Sequence, residues 1–358
     1  MKIKRRNFKV ISLVLLLVAQ YSNAQLSPNI DGDNWELVTA KSDEFNTLDL
    51  TKWHVMTLGA GQGPNDFNYG GNSSFRTANT SVANGKLIFK ADGPNPGATP
   101  PYNYMECCYT GGVISQLENY QYGYLEMYAQ LPGAYCNGVP NGLKFYPTFW
   151  TFHVENKGLP SYVHDEIDIL EPNGQQYEHA DVNFVGWHDE DGIGGAYKVG
   201  EGFVTSPTPL FSGFHKYAVE WNTDRIIFYF DDVPFYSMFN NPKLVMKPQY
   251  VVMYLSMWNQ IYDFDPLMTF PQYMTVDYFR YYQLKKDCGT NAVINNNTEL
   301  TSFSYGVKNS ITIGNTTSTI GLTSGQSKTF RAVDETIIQG DFTAPIGCEL
   351  NVIPTPCN

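Results

Sequence analysis

A short acidic run at residues 164–171 holds the side chains of this sequence that are best suited to chemistry. It contains Glu166, Asp168 and Glu171, with apolar residues between them. Successive side chains of a strand point to opposite faces, so Glu166 and Asp168 share a face while Glu171 sits at an odd offset. One extra residue in a β-bulge corrects that parity. Because partly buried like charges repel each other, the cluster predicts a site, and two-carboxylate glycoside hydrolysis is the leading chemistry for it.

The three carboxylates can be given separate roles. In retaining hydrolysis two carboxyls stand about 5–5.5 Å apart, one attacking the anomeric carbon and the other protonating the leaving oxygen. Glu166 and Glu171 suit these two roles. Asp168 lies between them, where it can hydrogen-bond the nucleophile and favour the protonated acid through its charge. The alternatives are a solvated acidic strand and a calcium site, but the apolar residues of the run require a core behind the strand.

The elements that must position this run are strands. Residues 35–284 show one strand pattern after another, and Asn84-Gly85 and Asn222-Thr223-Asp224 supply turn signals between them. Long amphipathic helices are absent. An all-β sandwich or jelly roll is therefore predicted, and a concave face between curved sheets would provide a groove for an extended polymer.

Residues 1–24 are typical of a secretory signal peptide. A basic start precedes an apolar stretch at 10–19 that is too short to span a bilayer, and Ser22-Asn23-Ala24 supplies the cleavage site. No Cys lies near this point, so we expect no lipoprotein anchor. The predicted location is secreted, periplasmic or at the cell surface.

The composition changes at the C-terminal end of the strand-rich region. We predict a catalytic domain at 25–284, a polar linker at 285–297 and a small β accessory module at 298–358, which is rich in Thr, Ser, Ile and Gly. Residues 337–347 resemble the C-terminal accessory modules of exported Bacteroidetes proteins.

Charge and cysteine content limit the partners and the compartment. Without its signal peptide the chain has 18 basic and 35 acidic residues, a formal net charge of −17. This argues against nucleic acid and membrane partners. Six Cys in an exported chain permit disulfides. We expect one pair among Cys288, Cys348 and Cys357, and a bridge from Cys107 or Cys108 to Cys136 is plausible.

The hexapeptide 166–171 resembles the catalytic motif of glycoside hydrolase family 16, in the bulged form of laminarinases, agarases and carrageenases. Further segments resemble motifs of that family, in the family's order: Ser42-Asp43-Glu44-Phe45-Asn46, Lys52-Trp53, Gly85-Lys86-Leu87, Tyr122-Gly123-Tyr124-Leu125-Glu126, Pro147-Thr148-Phe149-Trp150, 214–221 and 276–282. The resemblance covers about residues 35–283. It implies a concanavalin-like β-jelly-roll sandwich, with Glu166 as nucleophile, Asp168 as assisting carboxylate and Glu171 as general acid/base.

Six residues are candidates for binding the substrate: Trp150, His164, Asn183, Trp187, Trp258 and Asn259. The resemblance places Asn183 and the Trp258-Asn259 pair in the cleft, and the tryptophans could stack on sugar faces or belong to the core. His164 stands where many family members have Trp, two residues before the nucleophile. That departure leaves both β-glucans and agar-type galactans open as substrates.

The resemblance also implies a structural calcium ion on the convex side. Glu44, the Gly85 carbonyl and Asp277 match its ligands, and oxygen ligands suit this cation. The alternative is that these are three ordinary surface residues. No cofactor is expected for catalysis.

The sequence thus predicts a secreted, endo-acting, retaining glycoside hydrolase that cleaves O-glycosyl bonds of a β-linked polysaccharide such as laminarin, lichenan or an agar-type galactan. Two alternatives stay open: a carbohydrate-binding protein without activity, and a transglycosylase. We expect a monomer whose partner is the polysaccharide.

Overall fold

The computed structural model describes residues 35–57, 73–93, 109–133, 145–155, 163–171, 179–188, 196–222, 225–239, 247–257, 270–303 and 306–357. Sixteen strands form the larger part of the described chain: β1 Trp35–Leu37, β2 Trp53–Val55, β3 Ser73–Phe75, β4 Thr80–Ala83, β5 Lys86–Ala91, β6 Tyr109–Tyr120, β7 Gly123–Gln130, β8 Phe145–Glu155, β9 Val163–Glu171, β10 His179–His188, β11 Ala196–Thr205, β12 Phe214–Trp221, β13 Arg225–Phe230, β14 Val233–Phe239, β15 Gln249–Met257 and β16 Gln272–Leu284. Short 3-10 turns occupy Thr39–Lys41 and Thr77–Asn79.

These strands form two sheets. The first has the order β14-β13-β12-β7-β16-β5-β4, with β1 beside β16, and the second has the order β11-β10-β9-β8-β15-β6-β2, with β3 beside β6. Pairing is antiparallel except between β3 and β6. The arrangement is the predicted all-β jelly-roll sandwich. The expected hairpin at β12–β13 and the turn at Asn84-Gly85, where both residues have positive φ, are present.

The core lies between the two sheets. Alternate residues of the second sheet meet alternate residues of the first, and all of the following are fully buried: Phe149, Ile167, Met253, Leu125, Val219 and Phe279. Trp35, Trp53 and Trp221 are buried as well. A second apolar cluster covers the face of the second sheet that is turned away from this core, and it includes Phe75, Val113, Tyr146, Trp150, Phe152, Val252 and Tyr254.

The C-terminal part forms a separate small parallel sheet. Its elements are β17 Lys286–Ile294, α1 Asn297–Ser302, β18 Val307–Ile313, β19 Ile320–Gly321, β20 Ser327–Ile338, β21 Phe342–Thr343 and β22 Glu349–Pro354. The order is β17-β18-β20-β22, with β19 and β21 paired beside it, and all pairs are parallel. Ile294, Ile313 and Phe330 pack in its own small core.

The predicted linker at 285–297 is wrong over most of its length. Its polar residues form β17, which pairs with β18, and Ile294 at the end of β17 is buried. A disulfide joins Cys288 on β17 to Cys357 after β22, whereas Cys348 is a free thiol. Residues 1–24, Cys107, Cys108 and Cys136 lie outside the described residues. No helix in the described part of the chain is long and apolar enough to cross a membrane.

Candidate active site

A β-bulge on β9 brings the three carboxylates to one face. Asp168 lies opposite Asn183 and Glu171 lies opposite Asp181, so three steps along β9 match two steps along β10. Strand β8 is the neighbour of β9 on its other edge, and the register between these two strands shifts at the same place. The extra residue is Ile169, and the parity argument from the sequence is confirmed.

Burial shows which way each side chain of β9 points. Ile167, Ile169 and Leu170 are buried in the core between the sheets. Two consecutive core residues, Ile169 and Leu170, are possible only because the strand is bulged. The carboxylates therefore share the opposite face of the second sheet, which we call the site face. Among them Asp168 is buried, and Glu171 is partly exposed.

Two tyrosines from neighbouring strands surround the carboxylates. The Tyr146 hydroxyl on β8 donates a hydrogen bond to Glu171 Oε1, and the Tyr254 ring on β15 lies 5.8 Å from the Tyr146 ring. Burial raises the pKa of both phenols, and the Glu171 charge adds to the effect on Tyr254. Both hydroxyls stay protonated at neutral pH and so remain donors. The sequence prediction omitted them, although Tyr146 shares strand parity with Trp150.

His164 lies beside the predicted nucleophile. It is buried, and its Nε2 is 2.8 Å from Glu166 Oε2. The spacing of two residues on β9 places both side chains on the site face. The structure thus brings His164 to Glu166 itself, and its predicted contact with substrate stays a prediction.

The sequence profile described as "Beta-porphyranase A-D, GH16 domain" matches residues 35–284, the part of the chain that builds both sheets and the site face. The chain belongs to glycoside hydrolase family 16. The resemblance inferred from the motifs is therefore confirmed.

Two curated relatives and one solved structure are similar to the chain. Endo-1,3-1,4-beta-glycanase EglC of Rhizobium meliloti is 27% identical over 76% of this chain and 58% of its own length. Kappa-carrageenase of Pseudoalteromonas carrageenovora is 32% identical over 44% of this chain and 38% of its own length. The solved structure of porphyranase B from Zobellia galactanivorans has a TM-score of 0.56 at 22% identity, covering 72% of this chain and 97% of that one. The match with this chain covers little more than half of the length of EglC and less than half of the length of the carrageenase.

The other predicted substrate residues of this family 16 domain have different outcomes. Trp150 lies opposite Asp168, but its ring packs 5.1 Å from Phe152 and is only 4% exposed. Trp150 therefore packs within the apolar cluster on the site face, and its predicted stacking on a sugar stays a prediction. On β10 the backbone of Asn183 lies opposite Asp168 and that of Trp187 opposite His164. Trp258 and Asn259 lie outside the described residues.

Two of the three residues implied as calcium ligands are paired with cationic side chains. Arg280 Nε and Nη2 donate to the two carboxylate oxygens of Glu44 at 2.7 and 2.9 Å, and Lys86 is paired with Asp277. Gly85 forms the turn between β4 and β5, with φ +68°. Among the described residues, no group of three or more His, Cys, Asp or Glu side chains could hold a metal ion. Both carboxylates are thus already neutralised by cations, which disfavours a calcium ion at this place.

We expect calcium to have no effect on thermal stability. An ion that binds the native state at a hundred times its Kd stabilises it by about 2.7 kcal/mol, enough to move Tm by several degrees. Melting curves with EDTA and with added calcium should coincide, whereas Glu44→Gln should lower Tm equally in both. A Tm that falls with EDTA and recovers with calcium would restore the original prediction.

Asp165 is a buried acid directly behind the site. It lies opposite His153 on β8, and its pKa is raised to about 7 by burial, against a hydrogen bond from the Lys247 backbone and the Lys247 charge. The charge of Glu155 adds slightly to the rise. Glu155 is in turn held by His153 Nε2 at 2.8 Å.

Asp165→Asn should therefore stabilise the protein at neutral pH. Between about pH 4 and pH 7 the native state holds a proton that the unfolded state has lost, so native stability falls as pH rises through this window. The gain from the substitution should be near zero at pH 4 and on the order of 2–4 kcal/mol above pH 7. Urea unfolding across this range measures it. A gain that does not change with pH would show that Asp165 is ionised throughout.

Proposed function

We propose that the chain is a retaining, endo-acting glycoside hydrolase. One observation carries the proposal: the bulge at Ile169 puts Glu171 on the face of Glu166 and Asp168. Two carboxyls that reach a glycosidic bond from the same strand can act on its two sides.

The reaction proceeds in two displacements. Glu166 attacks the anomeric carbon while Glu171 gives its proton to the leaving oxygen, so that the glycosidic bond breaks and a glycosyl ester forms on Glu166. Glu171, now a carboxylate, takes a proton from water, and the hydroxide oxygen attacks the same carbon and releases Glu166. The anomeric configuration is retained because it is inverted twice.

The neighbouring side chains stabilise the two states of this cycle. Tyr146 donates to Glu171, which is most useful once Glu171 has lost its proton. His164 contacts Glu166 at 2.8 Å and fixes its carboxylate in one orientation. Asp168 lies between the two acids in sequence and on the same face, where its charge disfavours ionisation of a neighbouring acid.

For the substrate we propose a β-linked galactan of the agar class. The matching profile is that of porphyranases, and the similar kappa-carrageenase also acts, by its name, on a galactan-type polymer. A β-glucan is the second candidate, favoured by the similarity to an endo-1,3-1,4-beta-glycanase over a larger part of the chain. We also propose export of the chain by its predicted signal peptide.

A polysaccharide panel tests the proposal. Porphyran, agarose, kappa-carrageenan, laminarin and lichenan are incubated with the protein, and reducing ends and product sizes are followed over time. We expect one class to yield intermediate oligosaccharides first, as an endo-acting enzyme does. Binding to a polymer without products would favour a carbohydrate-binding protein. Products longer than the starting oligosaccharide, formed with an added acceptor, would favour a transglycosylase.

A further inference from the structure

The edge strand β11 carries an exposed aromatic ring near the site. Phe203 leaves 63% of its surface in solvent, more than any other aromatic residue whose side chain the structure describes. Exposing a large apolar ring costs free energy that burial would recover. Strand β11 is the outermost strand of the second sheet, and β10 separates it from β9. The pairing register of these three strands therefore gives the position of the Phe203 ring relative to the carboxylates.

Phe203 points to the site face. Its neighbour Val204 packs against the core between the sheets. A Cβ atom on Gly202 would overlap the Tyr236 ring of the first sheet, so this position also faces inward. By strand alternation Phe203 and Glu201 face the opposite way, as the carboxylates of β9 do.

Phe203 is also level with the general acid/base. It lies opposite Asp181 on β10, and Asp181 lies opposite Glu171 on β9. Adjacent strands are separated by about 4.7–4.9 Å, so roughly 10 Å separates Phe203 from Glu171 across the sheet. This is about the length of a disaccharide, measured along the direction in which a polymer would cross the strands.

Glu201 lies two residues before Phe203 on β11 and points to the same face. It lies opposite Asn183, which lies opposite Asp168, and it is exposed. A sugar has an apolar face of C–H groups and a rim of hydroxyls. An aromatic ring fits the first and a carboxylate accepts hydrogen bonds from the second.

We propose that Phe203 and Glu201 form a sugar-binding subsite at the edge of the sheet, about a disaccharide away from the scissile bond. Phe203 stacks on the face of an uncharged pyranose ring, and Glu201 accepts hydrogen bonds from its hydroxyls. The proposal rests on the hydrolase function above. It implies that substrates long enough to reach β11 are cleaved more efficiently than shorter ones.

The test compares Phe203→Ala with an equally simple change elsewhere. Tyr273 is also exposed, at 46%, but belongs to β16 of the first sheet, so Tyr273→Ala is the matched control. Each variant is assayed on the polymer of the panel that the wild type cleaves fastest, and on its disaccharide and tetrasaccharide carrying an aryl leaving group. We expect Phe203→Ala to lower kcat/KM on the polymer about tenfold through KM, as loss of part of a Phe contact predicts.

Further measurements distinguish a loss of sugar binding from a general loss of folding or activity. Phe203→Trp should restore KM, the Tm of Phe203→Ala should match the wild type, and the aryl disaccharide should be cleaved at the wild-type rate. Wild-type kinetics of Phe203→Ala on the polymer, or an equal loss in Tyr273→Ala, would overturn the subsite while the hydrolase function stands. A wild type that cleaves no polymer would contradict the function, and the subsite with it.

Discussion

Glu166→Ala is expected to abolish nearly all hydrolysis, lowering kcat by roughly four to six orders of magnitude. Without the carboxylate no glycosyl ester can form, and water has no activated route to the anomeric carbon. The side chain lies on the site face and not in the core, so the fold should be kept. Initial rates of reducing-end release at saturating polymer measure the effect.

The matched control for Glu166→Ala is Glu118→Ala. Glu118 lies on β6 of the same sheet and its side chain is 73% exposed, with one ion pair to Lys41 at 3.6 Å. Its removal should leave kcat and KM unchanged. If Glu166→Ala kept a tenth or more of the wild-type kcat with a normal Tm, Glu166 would not be the nucleophile.

Glu171→Ala has the second-largest expected effect, and it should depend on the leaving group. General acid catalysis contributes about 10²–10⁴-fold, so hydrolysis of a polymer should fall by that factor. An aryl glycoside whose phenolate leaves without protonation should form the glycosyl ester at close to the wild-type rate. Pre-steady-state release of the phenol, followed by slow turnover, is the measurement.

An equal loss on both substrates would contradict the role of Glu171 as the acid. It would indicate that the substitution disturbs Glu166 or the strand. Tyr146→Phe serves as a control for the second cause, because it removes the donor to Glu171 and leaves the carboxyl in place. Its loss should be much smaller than that of Glu171→Ala on the polymer.

The bulge could be predicted from the sequence because regular strand alternation would place only one of the three carboxylates on the wrong face. An unbulged β9 would put Glu171 into the core beside Ile167, and an unpaired buried charge is too costly. Ile169-Leu170 shows where the extra residue must lie, since both need the core. The β-sandwich could also be predicted, from the alternation of apolar and polar residues in the strands and from the turn signals between them.

Contacts across strands could not be predicted because they depend on register. Tyr146 reaches Glu171 only through the pairing of β8 with β9, and Phe203 is level with Glu171 only through β10. Arg280 neutralises Glu44 from a distance of 236 residues in the sequence. The motif match predicted calcium at Glu44 because the motif includes this carboxylate and does not include the arginine that pairs with it.

The C-terminal sheet shows a different limit. The sequence indicated a small β unit, but parallel pairing between short strands leaves little pattern in a single sequence. Lys286–Ile294 looks polar because β17 is an edge strand with one face in solvent. Its pairing with β18 and the bond from Cys288 to Cys357 make it part of the sheet and not a linker.

Azide rescue of the two carboxylate variants tests the central claim most directly, because the product reveals which face of the sugar each residue serves. With an activated β-aryl glycoside, Glu166→Ala and azide should give the α-glycosyl azide, since azide replaces the nucleophile. Glu171→Ala and azide should give the β-glycosyl azide, since azide attacks the ester on Glu166. The same anomer from both variants, or the two anomers exchanged, would contradict the assignment of Glu166 as nucleophile and Glu171 as acid/base.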